Sequence, residues 1–322
     1  MREALFKKHN LDKWQEFEED SVNVNPDILS ERFVELTDDL SYARTFYPDS
    51  PTTQYLNGLT STLFSKIYSN KREKANRFIT FWKVELPTLF YNSQRQLLFS
   101  FIIFSISALL GAVSAAYDDS FARLILGDSY VEMTLENIEK GDPLAIYGNE
   151  DEITMFFMIT INNIKVSFIT FVMGILFSIG TGYFLVFNGI MVGVFQYFCY
   201  QHGFLETSLL TIWLHGTLEI SSIVIAGCAG LVMGNSLLFP KTFTRLASFK
   251  KGAKQGLKII IGLVPLFIVA GFIESFLTRK HLSLIPSLMI ILPSALFIIW
   301  YFVVYPIQLN RFRNEKNTQN NL

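Results

Sequence analysis

A histidine and a glutamate lie four residues apart in the apolar stretch WLHGTLEISS, residues 213–222. At this spacing on a helix, His215 and Glu219 point to the same side, about one turn apart. A third ionisable residue, Glu274, occurs in the apolar stretch AGFIESF. Each such group inside a bilayer costs about 2.5–3.5 kcal/mol or more, so it usually faces the interior of a helix bundle and pairs there. We expect these three side chains and Asn188 to form a buried polar site.

Three interpretations of this polar site are open. The first is a hydrogen bond between His215 and Glu219 that holds helices together and does no chemistry. The second is a path for protons or ions, and the third is a binding or catalytic site. An intramembrane metal-dependent hydrolase needs three protein ligands and a position for water. The segment around His215 provides one histidine and one glutamate, and the remaining histidines lie in the N-terminal region or in loops: His9, His202 and His281. The sequence therefore predicts a protein that is not an enzyme, and we assign it no catalytic residue, no metal and no cofactor.

Membrane-spanning helices must position these residues. Half of the 322 residues are hydrophobic and only 17% are charged, which is unusual for a soluble domain. Spanning a bilayer takes about 20 apolar residues, and the sequence predicts an all-α, polytopic bundle of about six spans. Their predicted ranges are 96–117, 164–187, 188–200, 208–239, 258–276 and 282–305. The third is short and the fourth is long, with an interruption at His215 and Gly216, so these two could instead form a broken or re-entrant pair.

The chain divides into regions of different composition. Residues 1–71 are polar with apolar residues at helical spacing, which predicts a cytoplasmic helical domain. Residues 72–95 interleave aromatic and basic residues, as a helix in the headgroup region of a membrane does, although a fourth helix of the N-terminal domain would look similar. The predicted transmembrane domain covers 96–306, with an acidic outward loop at 118–152, and a cytoplasmic tail covers 307–322.

Small residues recur every four positions in two of the predicted spans. Gly189 and Gly193 form one ridge, and a second ridge consists of Ala226, Gly230 and Gly234. Such ridges let helix backbones approach closely, which matters where lipid provides no hydrophobic drive for helix association. They predict a compact bundle or a homo-oligomer.

The distribution of charge between loops predicts the orientation. Lysine and arginine are concentrated before the first span, after the fourth and after the sixth, whereas residues 118–152 are strongly acidic. By the positive-inside rule, both termini are cytoplasmic. We expect a multi-pass protein of the inner (cytoplasmic) membrane. The formal net charge of −1 does not suggest a nucleic acid partner.

Several motifs together resemble the stage II sporulation protein M family of bacterial membrane proteins. They are NGIMVG at 188–193, HGTLEI at 215–220, AGCAGLVMGNSLLFP at 226–240 and FIESFLT at 272–278. The resemblance covers roughly 86–306, and the N-terminal region is similar to the extension of the longer, non-sporulation members. In spore formers, the resemblance implies a scaffold that assembles cell-wall hydrolases during engulfment. It names no catalytic residue; the matching motif positions are Asn188, His215, Gly216, Glu219 and Glu274.

The sequence thus predicts a non-enzymatic membrane scaffold for envelope or cell-wall remodelling. The expected partners are the lipid bilayer, proteins that bind the N-terminal domain and the acidic loop, and, as an open alternative, a second copy of the chain. One alternative function is a transporter or channel that uses His215, Glu219 and Glu274. The other is the intramembrane hydrolase.

Overall fold

A computed structural model describes residues 2–19, 26–68, 77–140, 151–280 and 282–319. The described residues form helices and short connections, and no strand occurs among them. The helices are α1 (Glu3–Glu19), α2 (Pro26–Phe46), α3 (Pro51–Tyr68), α4 (Arg77–Thr80), α5 (Leu86–Asn92), α6 (Gln94–Tyr117), α7 (Asp119–Leu126), α8 (Asp128–Glu139), α9 (Glu152–Val172), α10 (Ile179–Gln201), α11 (Leu205–Leu238), α12 (Arg245–Phe272), α13 (Leu284–Ile299) and α14 (Tyr305–Gln319). The chain separates into two compact units, Met1–Arg77 and Phe78–Leu322.

The N-terminal unit is a small helical domain, as its apolar spacing predicts. Helices α1, α2 and α3 bury one stripe each against a common core that includes Phe6, Trp14, Phe17, Leu36, Leu40, Ala43, Leu56, Leu59 and Leu63. Trp14 is fully buried, and its Nε1 donates a hydrogen bond to Asp39 Oδ2 at 2.9 Å. That bond satisfies the indole N–H inside an apolar core.

The second unit contains six helices that are long and apolar enough to cross a membrane, as predicted. They are Gln94–Tyr117, Glu152–Ile175, Ile179–Gln201, Leu205–Leu238, Arg245–Lys280 and Leu284–Glu315. Helix α11 is the central one, because 78% of its apolar stretch is buried inside the unit, compared with 11% for the last span. The remaining spans surround α11 and present much of their apolar surface outward, as expected for contact with lipid.

The predicted second and third spans, 164–187 and 188–200, are wrong. The chain reverses at Leu176–Ser178, between Glu152–Ile175 and Ile179–Gln201, so both spans are full-length. Phe177 and Ser178 adopt φ angles of 52° and 68° to make this turn. The three turn residues include no proline or glycine, but Gly174, Gly180 and Gly182 flank them. With Ser178 and Thr181 these glycines are a turn signal that the predicted ranges did not use.

The predicted interruption of the fourth span is also wrong. Helix α11 runs continuously for 34 residues through His215 and Gly216, a length of about 51 Å. The re-entrant pair is therefore not formed. A glycine is tolerated within this helix because its neighbours Ile212 and Ile220 cover it and the surrounding helices bury it.

The predicted acidic loop, 118–152, begins as two helices, α7 and α8. Asp118 caps α7 by accepting a hydrogen bond of 2.9 Å from the Ser120 backbone N–H. Hydrogen bonds from the Ser120 hydroxyl and N–H hold the pKa of Asp118 below its usual range. Arg123 pairs with Asp128 and Glu132, at 3.3 Å each. Residues 141–150 of the loop lie outside the described residues.

The segment 72–95, predicted as an interfacial helix, is described from residue 77 and belongs to the membrane unit from Phe78 onward. Leu86 and Phe90 are fully buried in the core of that unit. Phe90 contacts Phe302 edge to face at 4.8 Å. The alternative, a fourth helix of the N-terminal domain, is therefore not what this segment forms.

Candidate functional site

Three of the predicted polar residues meet inside the membrane unit. His215 and Glu219 come from α11, and Glu274 comes from the π turn Ile273–Leu277 that continues α12. Their candidate ligand atoms, one from each residue, lie within 4.8 Å of one another. His215 Nε2 is 3.8 Å from Glu274 Oε1, and the two carboxyl groups are within hydrogen-bonding reach of each other. We call these three residues the polar cluster.

The π turn at Ile273–Leu277 shapes this arrangement. A π turn holds more residues per turn than an α-helix, so it changes which side chains face a neighbouring helix, and such turns are frequent at functional sites. Here Ile273 and Ser275 are buried and Glu274 is half-buried beside α11. The sequence stretch FIESFLT predicts an ionisable residue in the bundle but not this change of register.

Thr278 orients the imidazole of His215. The Thr278 Oγ1 donates a hydrogen bond to Ile273 O at 3.3 Å, and His215 Nδ1 lies 3.1 Å from the same Oγ1. Since a hydroxyl has one proton to donate, Thr278 Oγ1 accepts from His215 Nδ1–H when it donates to Ile273 O. In that tautomer the lone pair of Nε2 faces Glu274.

Asn163 connects a third helix to the polar cluster. Its Nδ2 donates a short hydrogen bond to Glu219 Oε1, so α9 is linked to α11. Sequence reasoning missed Asn163 and Thr278. The available signals were an asparagine pair, Asn162 and Asn163, in an apolar span and a threonine one turn after Glu274.

The polar cluster is enclosed. The His215 side chain is 4% exposed and that of Glu274 is 13% exposed. A cavity of about 320 Å³ lies elsewhere, lined by Ile125, Leu126, Tyr130, Met191, Val192, Phe195, Gln196, Ile212 and Ile220. None of the cluster residues lines this cavity.

The amide of Asn188 is bonded within its own helix. Its Nδ2 donates a hydrogen bond of 2.8 Å to Phe184 O. Asn188 lies within the full-length helix α10, not at the start of a short span, and its place in the polar site stays a prediction. Of the other histidines, His202 Nδ1 lies 2.9 Å from Phe198 O on the same helix, and His281 lies outside the described residues.

The small-residue ridges face other helices of the same chain. A Cβ built on Gly189 would stand 2.6 Å from Phe104 O, and one on Gly193 would overlap Ala108 O, both on α6. Gly230 and Gly234 on α11 meet the ends of α9 and α10 and the turn between them, with their neighbour Ala226 fully buried. These ridges therefore serve the packing of a single bundle.

Comparisons with known proteins agree with this architecture. A domain family of unknown function matches residues 4–69, within the N-terminal unit. An uncharacterized protein of Methanocaldococcus jannaschii is 25% identical over 198 residues, which is 58% of this chain and 83% of that protein. No solved structure matches the chain. The model of the family described as stage II sporulation protein M matches residues 100–279, more than half of the chain and including the polar cluster, so the chain belongs to the stage II sporulation protein M family.

Proposed function

We propose that this protein is an integral membrane scaffold that assembles envelope or cell-wall remodelling partners. Membership of the stage II sporulation protein M family supports the proposal. The observation that carries it is a lysine, Lys165, on the outer surface of a membrane span.

Lys165 lies near the middle of the span Glu152–Ile175 and is exposed, as is Asn162 one turn earlier. A charged side chain at the centre of a bilayer costs about 2.5–3.5 kcal/mol or more, so it normally faces protein or water. The inner side of α9 is already occupied, since Asn163, Ser167 and Thr170 face the bundle. An amine exposed at this depth is therefore best explained by a partner.

The surface around Lys165 fits a second membrane-spanning helix. Met158, Ile161 and Phe168 are exposed on the same side of α9. This surface, which we call the α9 face, thus combines apolar packing area with an amine and an amide at mid-span. A helix that carries a carboxylate at the matching depth would satisfy both polar groups. In model peptides, hydrogen bonds between polar side chains of neighbouring membrane helices contribute about 1–2 kcal/mol to the free energy of helix association.

A second copy of this chain does not offer that carboxylate. Within the described spans, the exposed acidic residues lie at or close to a span end: Glu152, Glu206 and Glu315. Glu219 and Glu274 lie inside the bundle in the polar cluster. The charge pattern therefore favours a different protein as the partner of the α9 face.

The N-terminal unit and the acidic outward segment are the further docking sites of this scaffold, and both termini are cytoplasmic in the inner membrane. The orientation rests on the basic residues near the cytoplasmic span ends, among them Arg95, Lys250 and Arg311. Acidic residues on α7 and α8 lie on the opposite side by this topology. Partners would thus be gathered from both sides of the membrane and within it.

The test is photo-crosslinking in native membranes. A crosslinking phenylalanine analogue replaces Phe168 on the α9 face, and the same analogue replaces Leu109, an exposed residue of α6, as the control. We expect a discrete protein adduct from position 168 only. Adding Lys165→Met should lower its yield about five- to thirtyfold, the range that corresponds to 1–2 kcal/mol, whereas Lys254→Met, at an exposed lysine of α12, should not.

Three results would overturn the proposal. Equal adducts from positions 168 and 109 would mean that the α9 face is not a specific docking surface. An adduct indifferent to Lys165→Met would mean that Lys165 does not hold the partner. An adduct of two copies of this chain would replace the different partner with a homo-oligomer.

A further inference from the structure

The polar cluster combines donor atoms that bind divalent transition metals. An imidazole nitrogen from His215 and carboxylate oxygens from Glu219 and Glu274 converge from α11 and the π turn after α12, within 4.8 Å of one another. Ligands of one zinc ion lie about 2.0–2.2 Å from the metal, and therefore roughly 3.3–3.6 Å from each other in a tetrahedral site. The 3.8 Å between His215 Nε2 and Glu274 Oε1 is close to that separation. Small side-chain rotations would complete the geometry.

The contact with Thr278 suits a histidine that ligates a metal through Nε2. When Thr278 Oγ1 donates to Ile273 O, it accepts from His215 Nδ1–H. In that tautomer Nε2 presents its lone pair to the carboxyl groups. Histidines that ligate metals commonly donate their second ring N–H in this way, because the bond fixes the ring orientation and raises the basicity of the ligating nitrogen.

One carboxylate is oriented from outside the cluster as well. Asn163 donates to Glu219 Oε1 from α9, which leaves the other oxygen of Glu219 available toward Glu274. An amide N–H can support a ligating carboxylate but does not neutralise it. Asn163 thus has the position of a hydrogen-bond partner that fixes the orientation of a metal-ligating Glu219.

The charge of the cluster also points to a cation. Glu219 and Glu274 carry two potential negative charges in the interior of a membrane bundle, and no described ion pair joins either to a lysine or an arginine. Arg279 is near in sequence, but its Nη2 donates to Met155 Sδ at 2.9 Å. Buried carboxyl groups must be protonated or paired with a counter-charge to be tolerated, and one divalent ion balances two carboxylates.

We propose that His215, Glu219 and Glu274 bind a single divalent transition-metal ion, zinc by preference. A mixed set of imidazole and carboxylate donors suits zinc better than magnesium or calcium, which prefer oxygen donors only. Because only three ligands come from the protein, the fourth position of a tetrahedral ion is left for water. The ion joins α11 to the segment after α12, and Asn163 holds Glu219 from α9. The proposal does not depend on the scaffold function.

The competing arrangement is a proton shared by the two carboxyl groups, which are within hydrogen-bonding reach of each other. Such a pair would also hold the helices together without a metal. The two arrangements differ in what the purified protein contains, so metal content separates them.

The experiment measures zinc bound to the full-length protein in detergent, after exposure to zinc and removal of the unbound ion. We expect about one zinc ion per chain, the stoichiometry of a three-ligand site, and a large loss in Glu274→Gln and His215→Gln. Glu206→Gln, which removes an exposed carboxylate from the same helix, is the matched control and should keep the zinc. Cobalt loaded in place of zinc should give visible absorption bands that His215→Gln abolishes.

A measurement on the wild-type protein tests the proposal even if a variant does not fold. Zinc should raise the thermal midpoint of the wild-type protein by several degrees and a chelator should lower it, while Glu274→Gln should show neither effect. The proposal would be overturned in favour of the shared proton if the wild-type protein bound no zinc, or if zinc left its thermal midpoint unchanged. Equal zinc in wild type and Glu274→Gln would show adventitious binding only.

Discussion

His215 and Thr278, 63 residues apart in sequence, are joined by a contact of 3.1 Å between the imidazole Nδ1 and the hydroxyl Oγ1. The contact links the middle of α11 to the segment that follows α12. It also decides which imidazole nitrogen faces the two glutamates. The orientation of the polar cluster therefore depends on a residue with no charge.

Replacing Thr278 tests that dependence. Thr278→Val keeps the shape but removes the hydrogen-bond partner of His215 Nδ1, leaving a buried ring nitrogen without that bond. We expect a loss of about 1–3 kcal/mol of stability, measured as a lower thermal midpoint of the purified protein. Thr278→Ser keeps the hydroxyl and should remain close to wild type. Equal midpoints for Thr278→Val and Thr278→Ser would contradict the role of the hydroxyl.

The contact between α6 and α10 should not tolerate a side chain at Gly193. A methyl group there would overlap the backbone carbonyl of Ala108, which cannot rotate away. Gly193→Ala should therefore force the two helices apart and cost about 1–3 kcal/mol. Gly182→Ala, on the same helix with nothing within 4 Å of the added atom, is the control. The folded fraction after heating, measured by size-exclusion chromatography, should fall only in Gly193→Ala.

The ion pair between Glu85 and Lys258 should couple the helix that precedes the first span to α12. Their side chains are 36% and 26% exposed, so solvent screens part of the attraction. A double-mutant cycle with Glu85→Gln and Lys258→Met should give a coupling of roughly 0.5–1 kcal/mol. The exposed Arg311–Glu315 pair, 3.4 Å apart on α14, should give almost none. Equal coupling in the two pairs would argue against a specific link.

The proposed orientation has a direct test by cysteine labelling. Cys199 and Cys228 are buried and free, and replacing both by alanine leaves a chain without cysteine. On that background, Glu139→Cys should react with an impermeant maleimide in intact cells, whereas Lys251→Cys should react only after lysis, because basic loops stay in the cytoplasm. Both positions are exposed, so access by the reagent depends on the side of the membrane. The reverse pattern would invert the topology.

Much of this architecture can be predicted from the sequence. Apolar runs of membrane-spanning length predict six spans, and stripes such as Leu36, Leu40 and Ala43 predict the N-terminal helices; both follow from local periodicity and hydropathy. The turn at Leu176–Ser178 is less evident, because Gly174, Gly180 and Gly182 around it also fit close helix packing. The positive φ of Phe177 and Ser178 and the approach of Gly234 to Ser178 are visible only in the tertiary structure.

The polar cluster, too, could be predicted from the sequence only in part. Its ionisable members are evident from the sequence, because His215, Glu219 and Glu274 interrupt apolar runs where a charge is costly. Their grouping and the addition of Asn163 and Thr278 follow from the tertiary structure alone. Spacing along one helix determines which side chains share a face, whereas contacts between α9, α11 and the π turn after α12 depend on how separate helices rotate and pack, and that information is not local to any stretch of the chain.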